Sequence, residues 1–426
     1  MANKIWDVVI VGAGQAGLNA SYFLSQSGIE HIVLERGRIG ESWHSQRWQS
    51  FLLNSPNKIN TLAGQNDFRF DPDGFWTATD FTQYLEHYCR KNQLPIREYH
   101  AVKRVEKNGR NFRIHFEHEG VSQSCEAIQI IIASGGQSEK LVPAMGSKTD
   151  RSIFQIHAAD YRNARQLPDG ATLVVGSAQS GCQIAEDLCY AGREVYLSTS
   201  NVARIPRTYR GRDILDWLID MRFFDARKQD IKDPAIVHMK PPQLTATGGG
   251  HKTISLQSLA KIGVKLLGKL ISVDGTKLNF NQDLAMHVQF ADGFSAKVKE
   301  MIDQFAKSEM PGAPAPIPDP EDLPAAGISF NAETEIDLRV KNIRSIIWAC
   351  GFHADLGYLD LPVKDGDGLP IHDDGISPVQ GLFFVGFPWL RNRKSALIYG
   401  SKFDAEFVVG QLVCNLQRRA SQEFIG

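Results

Sequence analysis

The chain opens on a pattern that leaves few folds available. Asp7-Val8-Val9-Ile10-Val11 is a short, β-branched, apolar run, as expected of a strand buried on both faces of a parallel sheet. It leads straight into Gly12-Ala13-Gly14-Gln15-Ala16-Gly17, a complete G-x-G-x-x-G. Gln15 to Gln26 then reads as a helix stopped at Gly28, and a second strand from Ile29 to Leu34 ends in Glu35. Gly12 permits the tight turn, Gly14 lets a pyrophosphate approach the backbone, and Gly17 lets helix and strand pack closely. Amides exposed at the helix start favour the phosphate charge. Glu35 lies 18 positions after Gly17, near the ~20 expected of an acid that holds a ribose diol. Arg36 is a candidate for packing on the adenine. A ligand-free tight turn is the plainer reading, but it leaves the spacing of the acid unexplained.

The same unit returns. Thr172-Leu173-Val174-Val175 is apolar, Gly176-Ser177-Ala178-Gln179-Ser180-Gly181 is a second glycine loop, Cys182 to Ala191 is helical, and Glu194 to Ser198 is the following strand. The two loops start 164 positions apart, and two such turns imply two nucleotides. Ala178 stands where glycine is usual, so its methyl should loosen the second pyrophosphate site. The second strand ends in Ser198-Thr199-Ser200 without an acid, and Arg204, Arg207, Arg210 and Arg212 follow. A missing acid beside arginines favours a cofactor with a 2′-phosphate; a solvated basic loop is the alternative.

A length of 426 residues allows two or three domains. A net charge of −1 argues against a dedicated nucleic-acid binder. No run reaches the ~18 apolar residues of a membrane span, and no signal region precedes the first strand. The cysteines form no C-x-x-C, and the histidines show no ligand spacing, so neither zinc nor a disulfide framework is expected. A cytoplasmic protein follows as the default expectation.

Between the loops, Trp43, Trp48 and the run Phe51-Leu52-Leu53-Asn54-Ser55-Pro56 read as a site-lining loop or as core. Thr79 to Asn92 reads as an amphipathic helix capped by Thr79 or Asp80, and Ala101-Val102 begins a strand. Ile128 to Ala133 is another apolar strand. Pro143, Pro168 and Gly170 mark a crossing between domains. Ile214 to Phe224 and Lys297 to Lys307 look helical. Thr247-Gly248-Gly249-Gly250-His251 reads as a flexible loop, and Met310 to Pro324 as a linker or lid. Strands at Ser345–Gly351 and Gly381–Gly386, then a helix from Ser395 to Cys414 with Asp404 and Glu406 on its polar side, read as a return to the first domain. The expected architecture is α/β. Two Rossmann-like dinucleotide-binding domains are arranged with the second inserted into the first: residues 1–155, 156–335, and 336–426 as the return.

These segments resemble the class B flavin-dependent monooxygenases, a group that includes flavin-containing monooxygenases, YUCCA enzymes and a related bacterial set. The resemblance rests on Val8–Glu35, Trp43–Pro56, His157–Tyr161, Val174–Gly192, Ile346–Gly351 and Gly381–Asp404. It implies FAD at the first loop and NADPH at the second. Gly12, Gly14, Gln15, Ala16, Gly17, Glu35, Arg36, Trp43, Val102, Gly386 and Ser395 would contact FAD. Gly176, Ser177, Gln179, Ser180, Gly181, Arg204 and Arg207 would contact NADPH. Asn54 falls at an asparagine that faces the flavin, and His157 and Tyr161 match the end of the signature F-x-G-x-x-x-H-x-x-x-Y. The chain departs from the pattern at Arg151, Ile153, Thr199 and Cys350. The implied reaction inserts one atom of O2 into a small soft-nucleophile or carbonyl substrate through a C4a-(hydro)peroxyflavin, and a homodimer is compatible with it. Two alternatives stay open: an NAD(P)H-dependent flavoprotein reductase or oxidase, and a redox-sensing flavoprotein regulator.

Overall fold

A computed structural model describes residues 4–65, 69–233, 236–237, 239, 242–246, 252–319, 321, 329 and 331–423. The expected loop at 247–251, and residues 320 and 322–324 of the expected lid, lie outside these.

The opening strand, Ile5–Val11, sits at the centre of a parallel sheet between His31–Leu34 and Val121–Ile132. Val8, Val9 and Ile10 have no exposed surface, because helices cover one face of the sheet and a strand layer covers the other. Val121–Ile132 serves two layers. Its first half pairs antiparallel with Asn111–His118, and that strand pairs in turn with Ala101–Asn108. Its last residues pair in parallel with the returning strand Leu382–Phe384. Helix α1 (Gln15–Gln26) follows the first glycine loop, α2 (Glu41–Ser45) is a short turn, and α3 is Ala78–Lys91. Thr77 caps α3 in a capping box with Asp80, so the helix starts one residue before the expected Thr79.

The second sheet is wholly parallel, in the order Lys265–Leu267, Val195–Ser198, Ala171–Val175, Ile343–Trp348, Phe154–His157. Helix α4 (Gln179–Tyr190) follows its glycine loop. Ile343–Trp348 lies inside this sheet, so the chain stays in the second unit past residue 336, where the sequence placed the return. The pattern of an apolar strand does not say which of two similar sheets it joins. The two crossings pair with each other, Glu139–Lys140 against Phe352–His353.

An insertion in the second unit carries α5 (Ile214–Asp220), α6 (Leu256–Lys261) and α7 (Leu284–Glu309). Helix α5 ends before Phe224, and α7 starts well before Lys297. Trp217, Ile214, Val298 and Ile302 form a separate small core there. The chain closes on α8 (Ile398–Glu423), which packs along α1. Asn19 ties the two helices: its Nδ2 donates to Ser401 Oγ (3.0 Å), and its Oδ1 accepts from Ala63 N (2.8 Å).

Candidate active site between two glycine turns

At the first turn each glycine has a separate steric reason. Gly12 has φ +105°, and a Cβ there would stand 2.7 Å from Ala133 O. At Gly17 a Cβ would fall 2.0 Å from Gly12 O, whereas at Gly14 it would meet nothing within 4 Å. Gly12 and Gly17 therefore serve the fold, and Gly14 faces open space where a pyrophosphate fits. Glu35 is buried. Its two oxygens accept from Ala13 N (2.7 Å) and Gly37 N (2.9 Å), which leaves lone pairs for a ribose diol. Burial pushes its carboxyl up, against the pull of those amides and of Arg36. Arg36 is exposed beside it.

Trp43 is half-buried, and its indole N–H donates to Gln15 Oε1 at 3.3 Å, so it does sit at the first turn. Trp48 is core. Gly386 (φ +79°) lies so close to α1 that a Cβ would be 2.7 Å from Ala16 Cβ. Val102 packs half-buried in the strand layer. Ser395 is buried; its Oγ accepts from the amides of Arg391 (3.1 Å) and Asn392 (3.3 Å), locking the turn before α8. The helix itself begins at Ile398, after the expected Ser395.

The second turn repeats the first. Gly176 has φ +109° with a Cβ position 2.5 Å from Ala349 O, and Gly181 packs on Gly176 O. Ala178 has φ −74°, ψ 179°, close to the −78°, 179° of Gly14. That backbone suits any residue, which is why alanine is tolerated. Ser180 is exposed at the turn. Ser177 and Gln179 are buried. Ser177 Oγ accepts from Ser200 N at 3.0 Å. Gln179 donates to Thr245 O at 2.7 Å and accepts from Leu244 N at 2.7 Å, so it holds the 243–245 segment against the turn.

Two expected phosphate ligands prove to be interior groups. Arg204 is 1% exposed and pairs with Asp292 at 2.8 Å. Arg207 has no exposed surface and pairs with Asp213. Neither is open to a 2′-phosphate. Asp292 is 88 residues from Arg204 in sequence, so spacing could not reveal the pair.

Arg207 has a different consequence. Its Nη1 donates to Asn54 O (2.7 Å) and Thr245 Oγ1 (2.8 Å). Asn54 Oδ1 lies 3.5 Å from Gln183 Nε2 on α4. The Asn54 loop is thus pinned at the seam of the two units, and among the described residues its side chain does not bond its own loop. His157, buried at the crossing, meets Gly351 O at 3.0 Å and accepts from Ala159 N at 3.1 Å. Tyr161 donates to Asp187 at 2.5 Å. Both hold the crossing together.

Sequence reading missed the loop between Gly386 and α8. Arg391, Arg393 and Lys394 lie on it, and Arg391 and Lys394 act on a fully buried Asp404 of α8. Asp404 was expected on the polar side of the helix. Among the described residues neither of its oxygens has a hydrogen-bond partner of ordinary geometry, and Arg391 is 4.0 Å away. Burial pushes its carboxyl up to about 6, against the pull of Ser395, Arg391 and Lys394. The basic run before the helix was the available signal.

A family model described as pyridine nucleotide-disulphide oxidoreductase matches residues 9–232. The chain is 29% identical over 412 residues to an "Uncharacterized oxidoreductase CzcO-like" of Geobacillus kaustophilus, covering 96% of this chain and 99% of the relative. It is 24% identical to a probable indole-3-pyruvate monooxygenase of the YUCCA group from Arabidopsis thaliana, covering 71% and 79%. Among solved structures, a flavin-containing monooxygenase from Stenotrophomonas maltophilia shares the fold at TM-score 0.63 and 17% identity, over 96% of this chain and 98% of that one. A bacillithiol disulfide reductase from Staphylococcus aureus does so at 0.60 and 12%, over 97% and 99%.

Proposed function

The chain belongs to the pyridine nucleotide-disulphide oxidoreductase family, and from that premise we propose that it is an FAD-dependent, NADPH-consuming monooxygenase. Its substrate would be a small molecule with a soft-nucleophile or carbonyl centre. The observation that carries this reading is the pair of glycine turns with matching backbones, one backed by an anchored acid. The relatives named for monooxygenation add to it.

The residues fit both cofactors. The space at Gly14 and the amides that open α1 would take the FAD pyrophosphate, with Glu35 on the ribose. The α4 turn would take NADPH, with Ser180 at its open edge. When bound, FAD supplies hydride acceptance from NADPH and activation of dioxygen. The chain binds, orients and excludes water. Asn54 presents an amide at the seam, steadied through its backbone by Arg207; preorganised donors of this kind contribute ~3 kcal/mol where they have been removed. Phe224 and Ala226 accept backbone hydrogen bonds from Lys394 and Arg393 of the loop before α8.

Disulfide exchange fits poorly. All six cysteines are free thiols, and burial pushes Cys89 and Cys125 up to about 12, far from thiolate character. The test is single turnover with NADPH and heavy-oxygen-labelled dioxygen across amines, sulfides and keto acids. One labelled atom in a product supports oxygenation. Quantitative hydrogen peroxide with no labelled product would show a reductase or oxidase instead.

A further inference from the structure

A cavity of about 230 Å³ opens between α2 and the start of α3. Arg47 and Arg162 line it with Trp48 and the first residues of α3, Ala78 and Thr79; none of its lining residues is an acid. No residue of either glycine loop lines it.

The charge in this cavity is not balanced from within the chain. Arg47 makes no ion pair among the described residues. Its Nη1 donates to Gln46 O at 2.9 Å, and its Nη2 reaches Gln137 Oε1 at 3.4 Å. The Arg162 guanidinium likewise meets neutral acceptors, the carbonyls of Ala159 (2.7 Å), Tyr161 (2.8 Å) and Ser45. The acid at the start of α3 is committed to its cap: Asp80 accepts from Thr77 N (3.1 Å) and Thr77 Oγ1 (2.7 Å). Glu86 stands 3.8 Å from His44 Nε2. Burial pushes the Arg47 guanidinium down to about 10, with no neighbouring charge opposing it. Two guanidinium groups in a half-buried cavity without an acid are unfavourable until an anion enters.

The walls also supply donors from several directions. The Arg47 guanidinium carbon lies 4.7 Å from the Trp43 ring and 5.3 Å from that of Phe51, which fixes its plane and leaves its edge to donate. Ala78 and Thr79 open α3, where the first amides have no intrahelical acceptor. Trp48 is 4% exposed, and its indole Nε1 is buried without a partner among the described residues. A guanidinium facing successive amides at a helix start suits an oxyanion whose oxygens splay in three dimensions.

We propose that this cavity is a phosphate site, taking inorganic phosphate or the phosphoryl group of a small monoester, with Arg47 as its principal ligand.

The FAD-loaded protein, with saturating NADP+ to fill the second turn, is titrated calorimetrically at constant ionic strength with inorganic phosphate, glycerol 3-phosphate and acetate. Saturable phosphate binding is expected, about tenfold or more tighter than acetate, the scale of a charge-assisted contact. Tighter binding of glycerol 3-phosphate assigns the site to a monoester, and tighter binding of inorganic phosphate to the free ion. R47Q is expected to weaken phosphate about tenfold or more, and R47K to keep part of the affinity. In the wild type, phosphate is expected to slow modification of Arg47 by phenylglyoxal, read peptide by peptide, a measurement that needs no variant to fold. No saturable binding, acetate as tight as phosphate, an affinity unchanged in R47Q, or no protection of Arg47 each overturns the proposal.

Discussion

Gly14 and Gly17 stand three residues apart and answer to different demands. A methyl at Gly14 meets open space, and Ala178 already occupies the matching position of the second turn. Gly14→Ala should therefore leave the apoprotein's unfolding free energy within about 0.5 kcal/mol of wild type, yet weaken FAD retention, read as flavin per polypeptide. Gly17→Ala should lower both, because its Cβ would strike Gly12 O. Arg207 differs in kind, since removing it strands Asp213 inside the protein. Arg207→Met should destabilise by ~3–5 kcal/mol in denaturant titrations, with no change in the NADPH-to-NADH preference of the folded fraction. Asp404 sets a pH dependence. Its folded carboxyl titrates near 6 against an ordinary 3.8, so the folded state holds the proton more tightly between those values. Stability from this group rises as pH falls from 6 towards 4, by ~3 kcal/mol at most. Asp404→Asn should stabilise the protein at pH 7.5 and flatten that slope; melting curves at pH 5 and 7.5 that fall in parallel for both proteins would exclude it.

Among elements, the two strand–turn–helix units were legible because every part of the signal is local. The apolar run, the glycines and the helix stop lie within about 25 residues, and each restricts the backbone by itself. The boundaries of α5, α7 and α8 were not legible. Helix α7 runs 26 residues through a stretch whose apolar face packs on an insertion core assembled from distant segments. Helix α8 buries Asp404, a residue that any amphipathic reading places outside. The end of the second unit's Val195–Ser198 strand carries an element-scale prediction. Ser200 Oγ is buried there without a partner among the described residues, one position past Thr199, which matches Glu35 of the first unit; an acid beside that position would select a free ribose diol. Ser200→Glu should weaken NADPH about tenfold and leave NADH less affected, read from the two KM values. Equal losses would place the 2′-phosphate elsewhere.

For the whole molecule, the seam between the two units matters more than either unit alone. Asn54 is held by Arg207, Ser50 bonds Asp187, Lys58 pairs with Asp216, and Phe224 and Ala226 accept from the loop before α8. FAD bound to the first unit should therefore stabilise a structure that both units share. At a hundredfold excess over its dissociation constant the gain is about 2.7 kcal/mol, and it should raise the melting of the whole chain in a single transition. A second, FAD-insensitive transition would show that the seam is weak. By itself the sequence determined that two glycine turns of the dinucleotide-binding kind exist, where each lies, and that an acid follows the first at the spacing of a ribose ligand. Those features are set by steric limits on a few neighbouring residues. Only the tertiary structure decided that Arg204 and Arg207 are interior ion pairs, that Ile343–Trp348 completes the second sheet, and that Arg47 and Arg162 line one cavity with no acid among its lining residues. Each depends on partners far apart in the chain, whose meeting is governed by packing rather than by spacing.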